Sequence, residues 1–214
     1  MTIKVIILDF DGVIVESNNI KHRAFAELFK EYPAYYNQIM EYHLAHNHID
    51  RHAKFKHIIE NILKQKYDKE LAQRWAKKFS DLTRNNIIAC PYIPGAKAFL
   101  EYFSGKYPLY LASATPLDEL EIILRSRGLL HYFKKIYGAP VPKKKMFENV
   151  VNIENINPEN IMFIGDSPED YIVASDFGCN FIAVADVNII NGAIRFNNMF
   201  EAKTWLAEME SVIR

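Results

Sequence analysis

The fold of this chain is constrained most by a set of short, largely apolar runs that are rich in β-branched residues. The runs cover residues 3–8, 109–112, 135–137, 161–164 and 181–184. A short run that is apolar at almost every position is typical of a strand buried on both faces of a parallel sheet. We therefore predict a parallel sheet built from these runs.

Helical patterns separate most of these runs. Residues 116–127, for example, carry apolar side chains at helical spacing, and Gly128 follows in the position of a C-terminal cap. Strands that alternate with helices form βαβ units with helices on both faces of the sheet. The pattern predicts a Rossmann-like, doubly wound α/β fold.

The alternation is interrupted between residues 17 and 90, a stretch that contains no glycine. Its apolar residues recur at helical spacing, and about four helices fit the pattern. They are Ile20, Ala24, Phe25, Leu28 and Phe29 in one set and Phe55, Ile58, Ile59, Ile62 and Leu63 in another. We therefore predict an α-helical cap domain at residues 17–90, inserted into an α/β core domain formed by residues 1–16 and 91–214.

Charge balance and cysteine content exclude several classes of protein. Lysine and arginine total 26, as do aspartate and glutamate, so the basic excess of a nucleic-acid-binding protein is missing. No run approaches the ~20 apolar residues of a membrane span. The N-terminal apolar run is too short for a signal peptide, and two cysteines form no disulfide framework. We expect a cytoplasmic protein that binds neither nucleic acid nor membranes; no pattern indicates its oligomeric state.

Polar side chains follow three of the apolar runs directly. They are Asp9 and Asp11 after the first run, Ser113 and Thr115 after the second, and Asp166 and Asp170 after the fourth. Ligands of open parallel sheets bind beyond the carboxyl ends of the strands, so we expect these groups to share one site. Neighbouring carboxylates repel one another and favour a bound cation. Mg²⁺ prefers oxygen ligands and often shares a substrate phosphate, so the pattern predicts a Mg²⁺ site.

Some of these residues also have a purely structural interpretation. Acids at the end of a strand commonly form turns. Residues 167–170 (Ser-Pro-Glu-Asp) resemble a capping box at the start of a helix, although that cap does not explain Asp166. Residues 113–116 (Ser-Ala-Thr-Pro) open a helix whose N-terminus would suit a phosphate. Lys143 would neutralise such an anion, and Lys144 and Lys145 compete with it for that role.

Four segments of the chain resemble, in order, the four motifs of the haloacid dehalogenase superfamily. They are residues 9–13 (Asp-Phe-Asp-Gly-Val), Ser113, Lys143 and residues 165–170 (Gly-Asp-Ser-Pro-Glu-Asp). The resemblance covers essentially the whole chain, including a helical cap after the first motif. Within that superfamily, the sequence is similar to the phosphoglycolate phosphatase and β-phosphoglucomutase branch. The dehalogenases themselves lack an acid at the position of Asp11, so its presence favours phosphate chemistry.

The resemblance implies a catalytic role for each matching residue. Asp9 would be the nucleophile, and Asp11 would be the general acid and then the base. The phosphoryl oxygens would be held by Ser113, Ala114 and Lys143. An acid that protonates a leaving oxygen needs a raised pKa, so we expect one for Asp11.

The resemblance also implies the set of Mg²⁺ ligands. Asp9, Asp166 and the main-chain carbonyl of Asp11 would bind the ion, and Asp170 would support that shell.

The implied activity is that of a Mg²⁺-dependent phosphatase that hydrolyses a small phosphorylated metabolite through an aspartyl-phosphate. Two alternatives stay open on sequence alone: a sugar phosphomutase, which shares the motifs, and a non-catalytic binding protein that has kept the fold. Nucleotide binding through a glycine-rich loop is disfavoured, because all eight glycines are isolated.

The middle of the cap carries an unusually polar segment, residues 43–55. Asp50 is suited to N-cap a helix on which Arg51 and Lys54 share a face. By resemblance, the turn at residues 46–51 faces the catalytic aspartates. We predict that Arg51, Lys54 and His46 contact an anionic or hydroxyl-rich substrate; the alternative is that the two cations are solvated surface charges.

Four histidines crowd into the same segment, which leaves a metal site there as a further alternative. They are His43, His46, His48 and His52. The HExxH pattern of zinc enzymes does not accompany them, so we expect surface residues or substrate contacts.

Overall fold

The computed structural model describes residues 2–46, 49–184 and 193–213. Within these residues six strands form one parallel sheet in the order β3-β2-β1-β4-β5-β6. The strands are β1 (Val5–Leu8), β2 (Leu109–Pro116), β3 (Lys135–Ala139), β4 (Ile161–Gly165), β5 (Asn180–Val184) and β6 (Ile194–Phe196). The first five correspond to the predicted apolar runs. β6 has only three residues and lies at the edge of the sheet, so no buried run marks it in the sequence.

The apolar runs are explained by the position of β1 between β2 and β4. Ile6 and Leu8 point into one hydrophobic cluster, whereas Val5 and Ile7 point into a second cluster on the opposite face. All four side chains are buried. Alternation between two buried faces removes the polar positions that a half-exposed strand would show.

The insert after β1 is helical, and none of its described residues lies in a strand. Its helices are α1 (Asn18–Phe29), α2 (Tyr36–Ala45), α3 (Arg51–His57), which continues into a π-helical turn (Ile58–Ile62), and α4 (Lys69–Ala89). Asp50 caps α3 as predicted, because its carboxylate accepts hydrogen bonds from the amides of His52 and Ala53. The helices pack around a hydrophobic cluster of their own that includes Phe25, Phe55 and Trp75.

Five further helices cover the two faces of the sheet. They are α5 (Ala96–Phe103), α6 (Leu117–Ser126), α7 (Lys143–Glu154), α8 (Pro168–Phe177) and α9 (Met199–Ile213). α5, α6 and α9 contribute to the cluster on one face, and α7 and α8 to the cluster on the other. The doubly wound fold predicted from the sequence is therefore confirmed. The helices α1–α4 share a hydrophobic cluster of their own, although Ile87 near the end of α4 packs in the cluster of the core. The domain boundaries at residues 17 and 90 stay a prediction.

Among the residues that the structure describes, no helix is both long and apolar enough to cross a membrane.

Candidate active site

Three strands of the sheet end at one edge and bring the predicted polar residues together. Asp9 follows β1, and its carboxylate oxygen lies within 4.8 Å of one oxygen each of Asp166 and Asp170, which follow β4. Asp9 and Asp170 are buried, and Asp166 is half-buried. A group of three carboxylates at this spacing offers the oxygen ligands that Mg²⁺ prefers.

Two acids of this cluster, Asp9 and Asp166, have raised pKa values, chiefly because they are buried. Burial, followed by the carboxylates of Asp9 and Asp170, raises the pKa of Asp166 well above its usual value. Burial also raises the pKa of Asp9 to about 6, although the ammonium of Lys143 acts in the opposite direction. Both shifts disfavour the ionised acids, and a cation among them would relieve that penalty.

The lysine at this cluster is Lys143, the first residue of α7. Its Nζ lies 2.8 Å from Asp9 Oδ2 and 2.5 Å from Asp170 Oδ1. Although burial disfavours the ammonium, Asp170 and Asp9 together raise its pKa, so the side chain is held as a cation. Of its two competitors, Lys145 pairs with Glu148 on the surface and Lys144 is exposed.

Two glycines make the close approach of the acids possible. A Cβ atom on Gly12 would lie 2.0 Å from Asp166 Oδ2, and the backbone of Gly12 also has a φ of +75°. A Cβ atom on Gly165 would lie 2.7 Å from Asp170 Oδ2. Because Gly12 and Gly165 have no side chain, the neighbouring carboxylates of Asp166 and Asp170 can pack directly against their backbone.

Asp11 belongs to a different hydrogen-bond network. Its Oδ2 accepts hydrogen bonds from Lys21 Nζ at 2.5 Å and Thr115 Oγ1 at 3.1 Å, and Ser113 Oγ lies 3.4 Å away. Its Oδ1 accepts from Ser17 at 2.5 Å. Its carboxylate is not part of the three-acid group, so its assignment as a metal ligand rests on its main-chain carbonyl alone.

The expectation of a raised pKa for Asp11 is wrong for this structure. Burial acts to raise it, but the ammonium of Lys21 and the hydrogen bonds from Lys21, Ser17 and Thr115 outweigh burial and lower the pKa. The sequence argument missed this because Lys21 lies on the first cap helix, ten residues from Asp11.

The polar end of β2 also differs from the prediction. The strand continues to Pro116, which pairs with Ala139 of β3, and α6 begins only at Leu117. Ser113 and Thr115 therefore lie in the strand and do not cap the helix. Ser113 is fully buried and accepts a hydrogen bond from the amide of Thr115 at 3.1 Å.

The turn that opens α8 follows the predicted capping pattern. Ser167 Oγ accepts a hydrogen bond from the amide of Asp170 and donates one to Asp170 Oδ2. Asp170 Oδ2 also lies 3.3 Å from the amide nitrogen of Asp166. Asp170 thus fixes the turn while its other carboxylate oxygen contacts Lys143.

A cavity of about 560 Å³ lies between this edge of the sheet and the cap helices. Its sheet side includes Asp9, Asp11, Ala114, Thr115, Lys143 and Asp166, and its cap side includes Asn18, Lys21, His22, His43, Arg51 and Lys54. This volume falls in the range of about 300–1,000 Å³ that is usual for small-molecule sites. The cavity brings cap cations opposite the carboxylates.

Of the three cap residues predicted to contact the substrate, two line the cavity and one does not. Arg51 and Lys54 line the cavity and are 8% and 4% exposed, so the alternative of solvated surface charges is wrong for both. His46 is not among the lining residues; its Nδ1 lies 2.8 Å from the carbonyl oxygen of Tyr42. Asn47 and His48 of the same turn lie outside the described residues.

Several cavity residues on α1 were not predicted. Asn18, Lys21, His22 and Phe25 all line the cavity, and Asn18 Nδ2 donates to Asp166 Oδ2 at 2.7 Å. Their spacing of three, four and seven residues is that of one helical face. The sequence does carry a signal for these residues, because polar side chains share one helical face with the apolar Phe25.

The histidines of the cap do not gather into a metal site among the described residues. The His43 ring stacks on Phe25 with 3.9 Å between ring centres, and His52 is exposed. Within the part of the chain that the structure describes, the three-acid group is the one set of possible metal ligands.

Comparisons with known proteins bear on the family and the fold. A family model described as haloacid dehalogenase-like hydrolase matches residues 6–184. β-Phosphoglucomutase from Clostridium difficile aligns over 100% of both chains, with 19% identity and a TM-score of 0.78. A predicted phosphoglycolate phosphatase from Haemophilus somnus aligns over 96% of this chain and 99% of its own, with 18% identity and a TM-score of 0.73.

A third solved structure, CbbY from Rhodobacter sphaeroides in complex with phosphate, aligns over 94% of this chain and 96% of its own. Its identity is 18% and its TM-score is 0.73. No curated protein sequence matches the chain. At such low identities the solved structures establish a shared fold.

Proposed function

Since the chain belongs to the haloacid dehalogenase-like hydrolases, we propose that it is a Mg²⁺-dependent phosphatase that cleaves a small phosphorylated metabolite through an aspartyl-phosphate. The observation that carries this proposal is the position of Asp9. Its carboxylate lines the cavity, lies 2.8 Å from the Lys143 ammonium and adjoins two further carboxylates. A carboxylate nucleophile beside fixed positive charge suits attack on phosphorus.

The acid cluster fits a divalent cation in both chemistry and charge. Three carboxylates and one ammonium carry two net negative charges when all are ionised. We assign Asp9, Asp166 and the main-chain carbonyl of Asp11 as ligands, with Asp170 in support. A bound Mg²⁺ would neutralise charge on the phosphoryl group and align it for attack.

In the first step, a carboxylate oxygen of Asp9 attacks phosphorus and the bond to the leaving alcohol breaks. Asp11 then gives a proton to the leaving oxygen. Because Lys21 and the hydrogen bonds from Ser17 and Thr115 lower the pKa of Asp11 in the ligand-free structure, Asp11 must take up this proton when the anionic substrate binds. Lys143 and Ala114, which both line the cavity, hold the phosphoryl oxygens. The resemblance gives Ser113 the same role, but in the structure Ser113 is fully buried, is not among the residues that line the cavity, and contacts Asp11 and the amide of Thr115 instead.

In the second step, ionised Asp11 takes a proton from water as the water oxygen attacks phosphorus. The bond between phosphorus and Asp9 breaks, which releases inorganic phosphate and restores the carboxylate. The lowered pKa of Asp11 supports this step, because Lys21 holds the side chain in the ionised form that accepts a proton.

The test is phosphate release from a generic aryl phosphate by the purified protein. We expect Mg²⁺ to be required and Ca²⁺ to inhibit, because the larger and less regular oxygen shell of Ca²⁺ misplaces the nucleophile. Asp9→Asn should lower phosphate release by roughly 10⁴-fold or more, as for the loss of a catalytic nucleophile, while the circular dichroism spectrum is retained. Wild-type rates in Asp9→Asn, or in excess chelator, would refute the nucleophile or the metal.

The same assay separates the two alternatives. A phosphomutase isomerises a sugar phosphate without net phosphate release and depends on a bisphosphate primer. A binding protein turns over no phosphate ester under any of these conditions.

A further inference from the structure

The three acids of the candidate metal site are not held in place by the same part of the molecule. Lys143 of the core contacts both Asp9 and Asp170. Asp166 has a different partner, because the side-chain amide of Asn18 donates to its Oδ2 at 2.7 Å. Among the described residues, no other side chain or amide forms a hydrogen bond or an ion pair with the Asp166 carboxylate. The third acid therefore depends on α1 for its orientation.

The position of Asn18 in its helix gives no structural reason for this contact. Asn18 is the first residue of α1, is exposed and lines the active-site cavity. Ser17, in the N-cap position before it, does not cap the helix with its side chain and donates to Asp11 instead. A helix without a side-chain N-cap is less stable than a capped one. The first turn of α1 thus directs its polar side chains toward the acids and not toward its own amides.

The space in which Asn18 and Asp166 meet is confined by Gly12. A Cβ atom on Gly12 would lie 2.0 Å from Asp166 Oδ2 and 2.6 Å from Asn18 Nδ2. The donor and the acceptor therefore both occupy the space that a side chain at this position would fill. Their close packing on the backbone of Gly12 limits the orientations that are open to the Asp166 carboxylate.

The hydrogen bond also joins two separately packed parts of the chain. Asn18 begins α1, whose buried Phe25 and Leu28 pack in the cluster of the cap helices. Asp166 follows β4, whose residues pack in the two clusters of the sheet. Carboxylates that bind a metal are themselves hydrogen-bonded, and these partners orient the ligand. For Asp166 the orienting partner comes from the cap.

We propose that Asn18 is a positioning residue that orients Asp166 for Mg²⁺, so that the cap contributes to the affinity of the metal site. This inference rests on the proposed function, because it takes the three-acid group as the Mg²⁺ site. Asn18 supplies no ligand to the ion and touches no reacting atom in this assignment. It acts through Asp166, so its loss weakens the metal site and leaves the chemistry at Asp9 unchanged.

The test measures Mg²⁺ binding by isothermal titration, without substrate and without turnover. Asn18→Leu keeps the approximate shape of the side chain and removes its donor. It should weaken Mg²⁺ binding about ten- to a hundredfold, the usual effect of losing a partner that orients a metal ligand. Asn18→Gln keeps an amide donor and should bind Mg²⁺ more tightly than Asn18→Leu. Asn37→Leu, at an exposed asparagine in the first turn of α2, is the matched control.

Two further measurements separate positioning from a merely structural role. Without metal, Asn18→Leu should unfold close to the temperature of the wild type, since Asn18 is exposed and does not cap the helix. With the aryl phosphate, the Mg²⁺ concentration that gives half the maximal rate should rise. At saturating Mg²⁺ the kcat should return close to that of the wild type, because the interaction that is lost acts on metal binding and not on the transition state.

Equal Mg²⁺ affinities of the wild type and Asn18→Leu would overturn the inference, and so would a loss of kcat that saturating Mg²⁺ does not restore. Turnover of the aryl phosphate by the wild type tests the phosphatase separately. Mg²⁺ binding that depends on Asn18 in a protein without turnover would preserve the inference and reject the enzyme. Turnover with a Mg²⁺ affinity that is independent of Asn18 would do the reverse, and a wild type that binds no Mg²⁺ would reject both.

Discussion

Asp9 and Asp11 stand two residues apart, but their surroundings shift their pKa values in opposite directions. Burial dominates at Asp9 and raises its pKa to about 6. At Asp11 the charge of Lys21 and the hydrogen bonds from Lys21, Ser17 and Thr115 overcome burial and lower the pKa. Such divergence between neighbouring acids is characteristic of sites that assign them different chemical roles.

Lys21→Met should therefore raise the pKa of Asp11, because the strongest stabilisation of its ionised form is lost. In the proposed mechanism ionised Asp11 activates water, so the acid limb of the kcat profile should move to higher pH. Below the new midpoint the rate should fall ~tenfold per pH unit, as expected for one essential ionisation. The measurement is kcat for the aryl phosphate from pH 4 to 9.

Lys30→Met is the matched control for that profile, since Lys30 is an exposed lysine just beyond the end of α1. An acid limb that stays in place in Lys21→Met would contradict the role of Lys21.

At the scale of elements, the cap and the core meet through a buried polar contact between α3, α4 and α6. Arg51 of α3 pairs with Glu119 of α6, and Ser80 of α4 donates to the same Glu119 oxygen at 2.9 Å. Both charged side chains are buried. The contact fixes α3, and with it Lys54, over the edge of the sheet.

Glu119→Gln should destabilise the protein by roughly 3–5 kcal/mol, the range for breaking a buried ion pair, because Arg51 is left buried without a counter-charge. The double variant Arg51→Met/Glu119→Gln should recover much of that loss, since no unpaired charge remains. Urea unfolding measures both. Glu101→Gln, which breaks an exposed pair with Lys97 on α5, should change stability by no more than ~1 kcal/mol.

If Glu119→Gln and Glu101→Gln proved equally mild, the buried pair would not hold the cap in place. A double variant as unstable as the single one would show that Glu119 acts through packing instead of through the charge of Arg51.

At the scale of the whole molecule, the insertion point of the cap determines the site. The cap follows β1, whose end carries Asp9 and Asp11, and returns before β2, whose end carries Ser113 and Thr115. Its first helix therefore starts beside the carboxylates, which lets Asn18 reach Asp166 and Lys21 reach Asp11. We expect a lid connected in this way to close over the proposed phosphate site and to exclude water from it.

Mg²⁺ should stabilise the folded molecule as a whole. At about 100 times its dissociation constant, a ligand that binds only the folded state adds ~2.7 kcal/mol, which for a chain of this size is a rise in Tm of roughly 5–10 °C. Asp166→Asn should abolish this rise and should also raise the metal-free Tm, because it removes a buried acid whose ionisation is disfavoured.

Asp176→Asn, at an exposed acid of α8, should keep the full response to Mg²⁺. An unchanged Mg²⁺ response in Asp166→Asn would reject the three-acid group as the binding site, whether or not the protein is active.

The sequence by itself determined the sheet, its parallel order of βαβ units and the acids at its edge. Strands buried on both faces must be apolar at every position, and residues that follow parallel strands must meet at one edge. The position of Asp9 beside Asp166 and Asp170 follows from these two local rules. The N-cap of helix α3 by Asp50 was also predictable from the sequence, because an N-cap depends only on the next three residues.

Only the tertiary structure decided which charges face one another across the cavity. Lys21 lowers the pKa of Asp11, Glu119 neutralises Arg51, and none of the carboxylates that the structure describes forms an ion pair with Lys54, whose Nζ contacts His43. Arg51 and Lys54 look equivalent in sequence, since both are cations on one helical face. What distinguishes them is a carboxylate on a different element, 68 residues away from Arg51 along the chain (51 to 119). Coulomb energies depend on distance in space and on burial, neither of which is encoded in local spacing.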